Sequence, residues 1–151
     1  MIELLTVLVI IGVLAAIAIP SYLGIRNRAN EASMVSSARS SLDTLSFWLH
    51  SALSSRTDVT EADTNFDGAI DHTDKTNSQL FADGVAATFV EGRNNIAKDR
   101  SPWFPELPLW SHDASEPSAQ ITLVDINYDT IRIVAKDKRG DIIFHQDVSA
   151  D

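Results

Sequence analysis

The sequence predicts an α+β protein in which one long N-terminal α-helix packs on a small antiparallel β-sheet. The first third of the chain contains a charge-free apolar run, which is followed by apolar residues at helical spacing. The last third contains three segments rich in Ile and Val, which short turns connect. A chain of 151 residues suits one domain of ordinary size.

The N-terminal helix begins with an apolar segment, residues 1–24. Residues 4–19 carry no charge, and about 20 apolar residues are enough to span a bilayer. A helix that is apolar on all sides must be enclosed by lipid or by other helices. A cleaved signal peptide is the alternative, but helical sequence continues directly beyond this segment. We therefore expect residues 1–24 to form a transmembrane or filament-core helix.

Glu3 is the one charged residue in that segment. A carboxylate inside a bilayer helix costs about 2.5–3.5 kcal/mol on insertion scales, so such residues usually have a partner. Glu3 either lies at the membrane edge in contact with water, or pairs with a cation inside an assembly.

The first 20 residues, MIELLTVLVIIGVLAAIAIP, resemble the N-terminus of type IV pilins and the related pseudopilins. Processed members of that family commonly begin F-T-L-I-E-L and continue into an apolar helix that ends in A-I-P. The resemblance implies the pilin fold, and it implies that Met1 occupies the place of the family's leucine. Two mature residues and a basic leader would then precede Met1.

The resemblance also implies assembly roles for three residues. Glu3 matches the acid that pairs with the N-terminal amine of a neighbouring subunit, an amine typically methylated after cleavage by the prepilin peptidase. Gly12 and Pro20 bracket a stretch that related filaments often unwind on assembly. Pro20 independently predicts a kink or local melting near residues 16–20, because proline removes a helical donor and clashes with the preceding turn.

The second part of the helix, residues 25–54, is amphipathic. Its apolar stripe steps by three or four residues and should pack on the sheet. Phe47 and Trp48 flank this stripe and are predicted to be packing residues. The stripe consists of Val35, Ala38, Leu42, Leu45, Leu49 and Ala52.

An acidic loop at residues 63–74 has the pattern D-x-N-x-D-G-x-I-D-x-x-D. This spacing matches an EF-hand calcium loop with Asp in place of the usual final Glu, and it most closely resembles the loops of dockerin-type modules. Gly68 permits the sharp turn, and Ile70 is expected to anchor the loop to the core. The alternative is a solvated acidic turn. The predicted Ca²⁺ ligands are the side chains of Asp63, Asn65, Asp67, Asp71 (directly or through water) and Asp74, with the carbonyl of Ala69.

The remaining elements lie in a globular head formed by residues 55–151. Residues 78–90 have a weak helical pattern that Gly84 interrupts. Residues 100–110 contain three prolines and two tryptophans, which predict an extended loop pinned to the core or to a neighbouring subunit. The predicted strands are Gln120–Asn127, Thr130–Lys136 and Asp141–Val148.

Charge is unevenly divided along the chain. Residues 1–50 carry three basic and three acidic side chains, so residues 51–151 hold the whole net charge of −9. An acidic balance argues against a nucleic-acid partner. Cysteine is absent from the sequence, which excludes disulfides and thiolate metal sites, and leaves calcium as a candidate clasp for the head.

Catalytic patterns are not evident, and we expect a protein that is not an enzyme. The four histidines, at positions 50, 72, 112 and 145, are scattered, and the sequence contains no nucleophile elbow, P-loop or zinc-protease motif. His72 is not expected to bind the metal, because hard oxygen donors dominate the loop.

The resemblance therefore predicts a structural subunit of an extracellular type IV pilus-like filament. The subunit would be held in the bacterial inner membrane before assembly, and its partners would be identical subunits, the assembly machinery and the prepilin peptidase. A type II secretion pseudopilin acting in the periplasm is the first alternative. A membrane-tethered, calcium-dependent binding module is the second.

Overall fold

The computed structural model describes residues 2–54 and 58–150 and confirms the α+β fold, with a long helix packed on a four-stranded sheet. The chain divides into two compact units, residues 1–32 (the N-terminal unit) and residues 33–151 (the C-terminal unit). Residue 1, residues 55–57 and residue 151 lie outside the described ranges. The predicted boundary between the helix and the head, at residues 54 and 55, falls at the edge of one of these gaps. The elements are α1 (Ile2–Leu53), α2 (Asn77–Asp83), α3 (Val85–Asn95), β1 (Trp110–Ser111), β2 (Ile121–Asn127), β3 (Thr130–Lys136) and β4 (Ile142–Ser149).

The described part of the N-terminal unit is entirely helical. Helix α1 contains Pro20 in its interior, and residues 16–20 keep helical backbone. The local melting expected at this proline is therefore not present in the isolated chain. Flanking residues such as Ala16 and Ile19 are compatible with helix, and one missing donor is not enough to break so long a run.

The part of α1 in the C-terminal unit buries one face. The predicted stripe is confirmed at Ala38, Leu45, Leu49 and Ala52, whereas Val35 and Leu42 are only partly buried. The face is wider than the stripe, because it also includes two serines, Met34 and Trp48, whose predicted packing role is confirmed. Phe47, expected to pack, is 52% exposed. The additional buried residues are Met34, Ser41, Trp48 and Ser51.

Helices α2 and α3 divide the predicted helical segment at Gly84. This glycine has φ of +85°, a conformation that residues with a Cβ rarely adopt, so it separates the two helices. A capping box begins α2: the Thr76 hydroxyl accepts a hydrogen bond from the Gln79 amide, and the Gln79 side chain accepts one from the Thr76 amide. The helical prediction was correct, but α3 extends five residues beyond its expected end.

The sheet has the order β1-β2-β3-β4. Strands β2, β3 and β4 form the predicted antiparallel meander, with bounds within one residue of expectation. We expected a wholly antiparallel sheet, and this prediction is wrong in one respect. Strand β1 pairs with β2 in parallel, and Trp110 lies opposite Ile121. The nine residues between β1 and β2 return the chain to the same end of the sheet. A two-residue strand inside a proline-rich segment has no alternation from which it could be predicted.

The core of the C-terminal unit lies between the helices and the sheet. Four aromatic rings meet there, with successive ring centroids 5.6, 5.7 and 5.1 Å apart for Trp48–Phe66, Phe66–Phe89 and Phe89–Trp110. These rings join α1, the acidic loop, α3 and β1. The apolar loop before β1 is therefore pinned to the core through Trp110, which is 1% exposed.

Candidate assembly helix and acidic loop

The N-terminal unit exposes almost all of its apolar side chains. Fifteen large hydrophobic residues between Ile2 and Ile25 are more than half exposed. The segment is long and apolar enough to cross a membrane, and none of its most hydrophobic stretch is buried. A continuous apolar surface of this kind marks a site of contact with lipid or protein. The coarser prediction, a helix suited to membrane anchoring, is thus confirmed.

The three predicted assembly residues all lie on this helix. Glu3 is in its first turn, where a negative charge is favoured by the helix dipole. Gly12 faces open space, since a Cβ atom added there would have no heavy atom of another residue within 4 Å. Pro20 leaves the Ala16 carbonyl without its helical donor. Their roles in assembly stay predictions.

The acidic loop is built on hydrogen bonds from backbone amides to its own side chains. The Gly68 amide donates to Asp63 Oδ2 over 2.9 Å, and the Asp67 amide donates to Asn65 Oδ1 over 2.9 Å. The Ala69 amide donates to Asp67 Oδ1 over 2.8 Å. Gly68 has φ of +89°, as the sharp turn requires. The first half of the loop therefore folds round Asp63, Asn65 and Asp67.

Asp74 joins the two ends of the loop. This residue is only 6% exposed, and its Oδ1 accepts the amides of Thr64 and Asn65 over 2.8 and 3.1 Å. Its Oδ2 accepts the Asp71 amide over 3.0 Å. Charge-assisted bonds of this kind are strong, so Asp74 organises the backbone of the loop.

Asp71 accepts two hydrogen bonds from a neighbouring residue of the loop. The hydroxyl and the amide of Thr73 both donate to Asp71 Oδ1, over 2.7 and 2.8 Å. These bonds hold the pKa of Asp71 below its ordinary value. The ionised form of Asp71 is therefore the one that these hydrogen bonds favour. The neighbouring His72 is largely exposed, with a side chain 92% accessible.

Phe66, and not Ile70, anchors the loop to the core. Ile70 is 56% exposed, so the anchoring role expected for it is wrong. Phe66 has φ of +55° and turns its ring towards Trp48 and Gly92. An added Cβ at Gly92 would lie 2.4 Å from the Phe66 ring, so the absence of a side chain there makes room for the anchor. Phe66 is the fourth residue of the loop, and the EF-hand pattern does not require an apolar residue there. The pattern therefore did not predict Phe66 as the anchor.

The donor set of the loop suits calcium in its chemistry. All six predicted ligands offer oxygen atoms, which are the ligands that Ca²⁺ prefers. Within residues 2–54 and 58–150, however, no three His, Cys, Asp or Glu side chains form a group that could hold a metal ion. The loop thus brings the predicted residues into one turn, with their carboxylates engaged by amides.

One pair of polar side chains that the sequence did not predict links β2 to the residue that follows β1. His112 pairs with Asp125 of β2, with Nε2 and Oδ2 2.8 Å apart. This pair lies at the surface, and an exposed ion pair is a common structural feature. Residues 112 and 125 are far apart in the sequence, so no local pattern predicted that they would pair.

Comparison with known proteins adds no assignment to this geometry: no family model, curated protein or solved structure matches the chain.

Proposed function

We propose that this protein is a non-enzymatic structural subunit of an extracellular type IV pilus-like filament, and that it polymerises through its N-terminal helix. The exposed apolar surface of residues 2–25 is the observation that supports this proposal most strongly. Burying one Val, Leu or Ile side chain contributes about 1.5–3 kcal/mol. The fourteen exposed Val, Leu and Ile residues of this segment therefore represent tens of kcal/mol that lipid or a helix bundle would recover.

The same helix serves two environments in this proposal. Before assembly it lies in the bacterial inner membrane, where the prepilin peptidase and the assembly machinery act on it. During assembly it leaves the lipid and packs against the helices of identical subunits. Both environments are apolar, so the exchange loses little hydrophobic free energy.

Glu3 gives the helix bundle its axial register. An unpaired carboxylate in an apolar bundle is costly, whereas pairing with a neighbouring N-terminal amine removes most of that cost. Only one stagger of the helices satisfies this pairing. The apolar contacts favour bundling at many staggers, because hydrophobic burial is non-directional.

Calcium would stabilise the C-terminal unit in this subunit. Carboxylates of Asp63, Asp67, Asp71 and Asp74, the amide oxygen of Asn65 and the carbonyl of Ala69 would hold the ion. Bound calcium would offset the repulsion between the four aspartates. The chain has no cysteine and therefore no disulfide to cross-link this unit. A bound metal ion would hold the two ends of the loop together instead.

Electron microscopy of sheared surface material tests the filament proposal. The chain, preceded by the leader peptide and first two mature residues of the host subunit, is expressed in a bacterium that assembles type IV pili but lacks its own major subunit. We expect wild-type filaments and none from Glu3→Gln, because the neutral amide no longer pairs with an amine. Glu31→Gln, which changes the other carboxylate of the N-terminal unit, should leave filaments intact.

Three outcomes separate the proposal from its alternatives. Long surface fibres support a pilin. Short periplasmic polymers that depend on Glu3 instead support a type II secretion pseudopilin. A membrane-bound protein that never polymerises, and whose ligand binding is the same in Glu3→Gln, would point to a tethered calcium-dependent module.

A further inference from the structure

Two exposed arginines follow the apolar segment of α1. Arg26 and Arg28 are the only basic residues in residues 1–32, and both are exposed. Among the residues that the structure describes, neither arginine forms an ion pair, whereas Lys75, Arg93 and Lys136 each do. The N-terminal unit thus offers two cations that its own chain leaves uncompensated within the described ranges.

The C-terminal unit carries the complementary charge. Residues 1–32 hold two arginines and two glutamates, so the whole net charge of −9 belongs to residues 33–151. Most of the carboxylates there are engaged in ion pairs or accept amides. Four exposed carboxylates neither form an ion pair nor accept a hydrogen bond in the part of the chain that is described: Asp43, Asp58, Glu91 and Glu106.

We propose that Arg26 and Arg28 of one subunit bind these exposed carboxylates on the C-terminal units of two neighbouring copies. This inference rests on the proposed filament, because it needs copies held side by side. Residues two apart on a helix do not face the same direction. The two arginines therefore reach different neighbours, and each contact is independent of the other.

Charge complementarity favours a second copy as the occupant over a membrane surface. Anionic lipid is held by clusters of four to eight basic residues, whereas the N-terminal unit has two. The strongly acidic C-terminal unit would also be repelled by an anionic surface. Complementary charges across a subunit interface instead select the partner and fix its position, which the apolar helices alone do not do.

Salt-dependent disassembly of purified filaments tests the inference on the full chain. Filaments of wild type, Arg26→Gln, Arg28→Gln and the double variant are incubated from about 0.15 M to about 1 M NaCl, and the pelleted fraction is measured. We expect each single change to lower the subunit association constant about fivefold and the double change about 25-fold, since separate contacts add. Arg39→Gln is the control, because Arg39 lies over the Phe144 ring of its own subunit.

Charge exchange identifies the partner carboxylate. Arg28→Glu should weaken assembly, and a second change to Lys at Asp43, Asp58, Glu91 or Glu106 in the same chain should restore it. The inference is overturned if no exchange restores assembly and the wild-type filaments are as salt-resistant as the double variant. It is equally overturned if the variants assemble normally but unassembled subunits lose their retention in anionic vesicles, which would assign the arginines to lipid. If wild type forms no filaments, the proposed function itself fails.

Discussion

Phe66 is the residue through which the acidic loop meets the core. Its ring contacts Trp48 of α1 and Phe89 of α3, and the Arg93 guanidinium lies 5.6 Å from its centroid. Arg93 also pairs with Asp99 over 2.7 Å. The loop, two helices and the segment before β1 are therefore connected through one aromatic side chain. A change in any of them reaches the others by direct contact.

Gly92→Ala should destabilise the C-terminal unit by about 1–3 kcal/mol, because the added methyl overlaps the Phe66 ring and forces the core to shift. The gain in helix propensity from alanine is about 1 kcal/mol at most and does not offset this overlap. Urea unfolding of the full chain in detergent measures the difference. Glu91→Ala, one residue earlier and exposed, is the control. A Gly92→Ala protein at least as stable as wild type would show that the ring moves without cost.

Asp137 closes the turn between β3 and β4. This carboxylate is 2% exposed and accepts the amides of Arg139 and Asp141 over 2.8 and 2.9 Å. Burial raises the pKa of Asp137, but the Asp141 amide and the Arg139 side chain and amide together hold it below its ordinary value. The ionised form is therefore the one that the folded turn prefers.

The stability contributed by Asp137 should be lost in acid. A carboxyl with a lowered folded pKa stabilises the protein above its unfolded pKa, near 3.8, and this contribution disappears as the pH falls through the folded value. Asp137→Asn should cost about 1–3 kcal/mol at neutral pH and flatten the acid limb of the stability curve. Thermal melts from neutral to strongly acidic pH measure both effects. Asp147→Asn, at an exposed ion pair with Arg132, should change stability much less.

The elements show which signals the sequence carries well. Periodicity placed the buried face of α1 and the bounds of β2, β3 and β4, because each is long enough to repeat its pattern. The same signal failed for β1, whose two residues repeat nothing, and for Phe47, which lies beside the stripe. The sequence predicted Ile70 as the anchor of the acidic loop, but the anchor is Phe66, four residues earlier. This could not be predicted, because Gly92, which makes room for the Phe66 ring, is distant in the sequence. Patterns report local structure, whereas packing partners come from the tertiary fold.

Calcium binding by the acidic loop should raise the melting temperature of the protein. We expect EGTA to lower the melting temperature of the wild-type chain and calcium to restore it, since a ligand at 100 times its Kd stabilises the folded state by about 2.7 kcal/mol. Asp67→Asn should abolish this response. Asp58→Asn, an exposed carboxylate outside the loop, should retain it. Equal melting temperatures with and without calcium in the wild type would contradict the metal proposal.

At the scale of the molecule, hydrophobic surface and charge are carried by different units. The N-terminal unit is neutral and exposes its apolar residues, whereas the C-terminal unit has its own core and the whole net charge. A chain that begins at Ser33 should therefore fold and remain monomeric in water, because Met34 is the first residue of the core. The full chain should partition into detergent. Circular dichroism and size-exclusion chromatography measure both, and aggregation of the shortened chain would contradict the division.

The aromatic cluster round Phe66 also makes the protein its own optical probe. Indole emission responds to the polarity and the rigidity of its surroundings, and the Trp48 ring lies 5.6 Å from the loop's only aromatic side chain. Movement of Phe66 with the loop would change the environment of Trp48. A change in the tryptophan emission of the full chain on adding calcium would then report the state of the loop, without an added label.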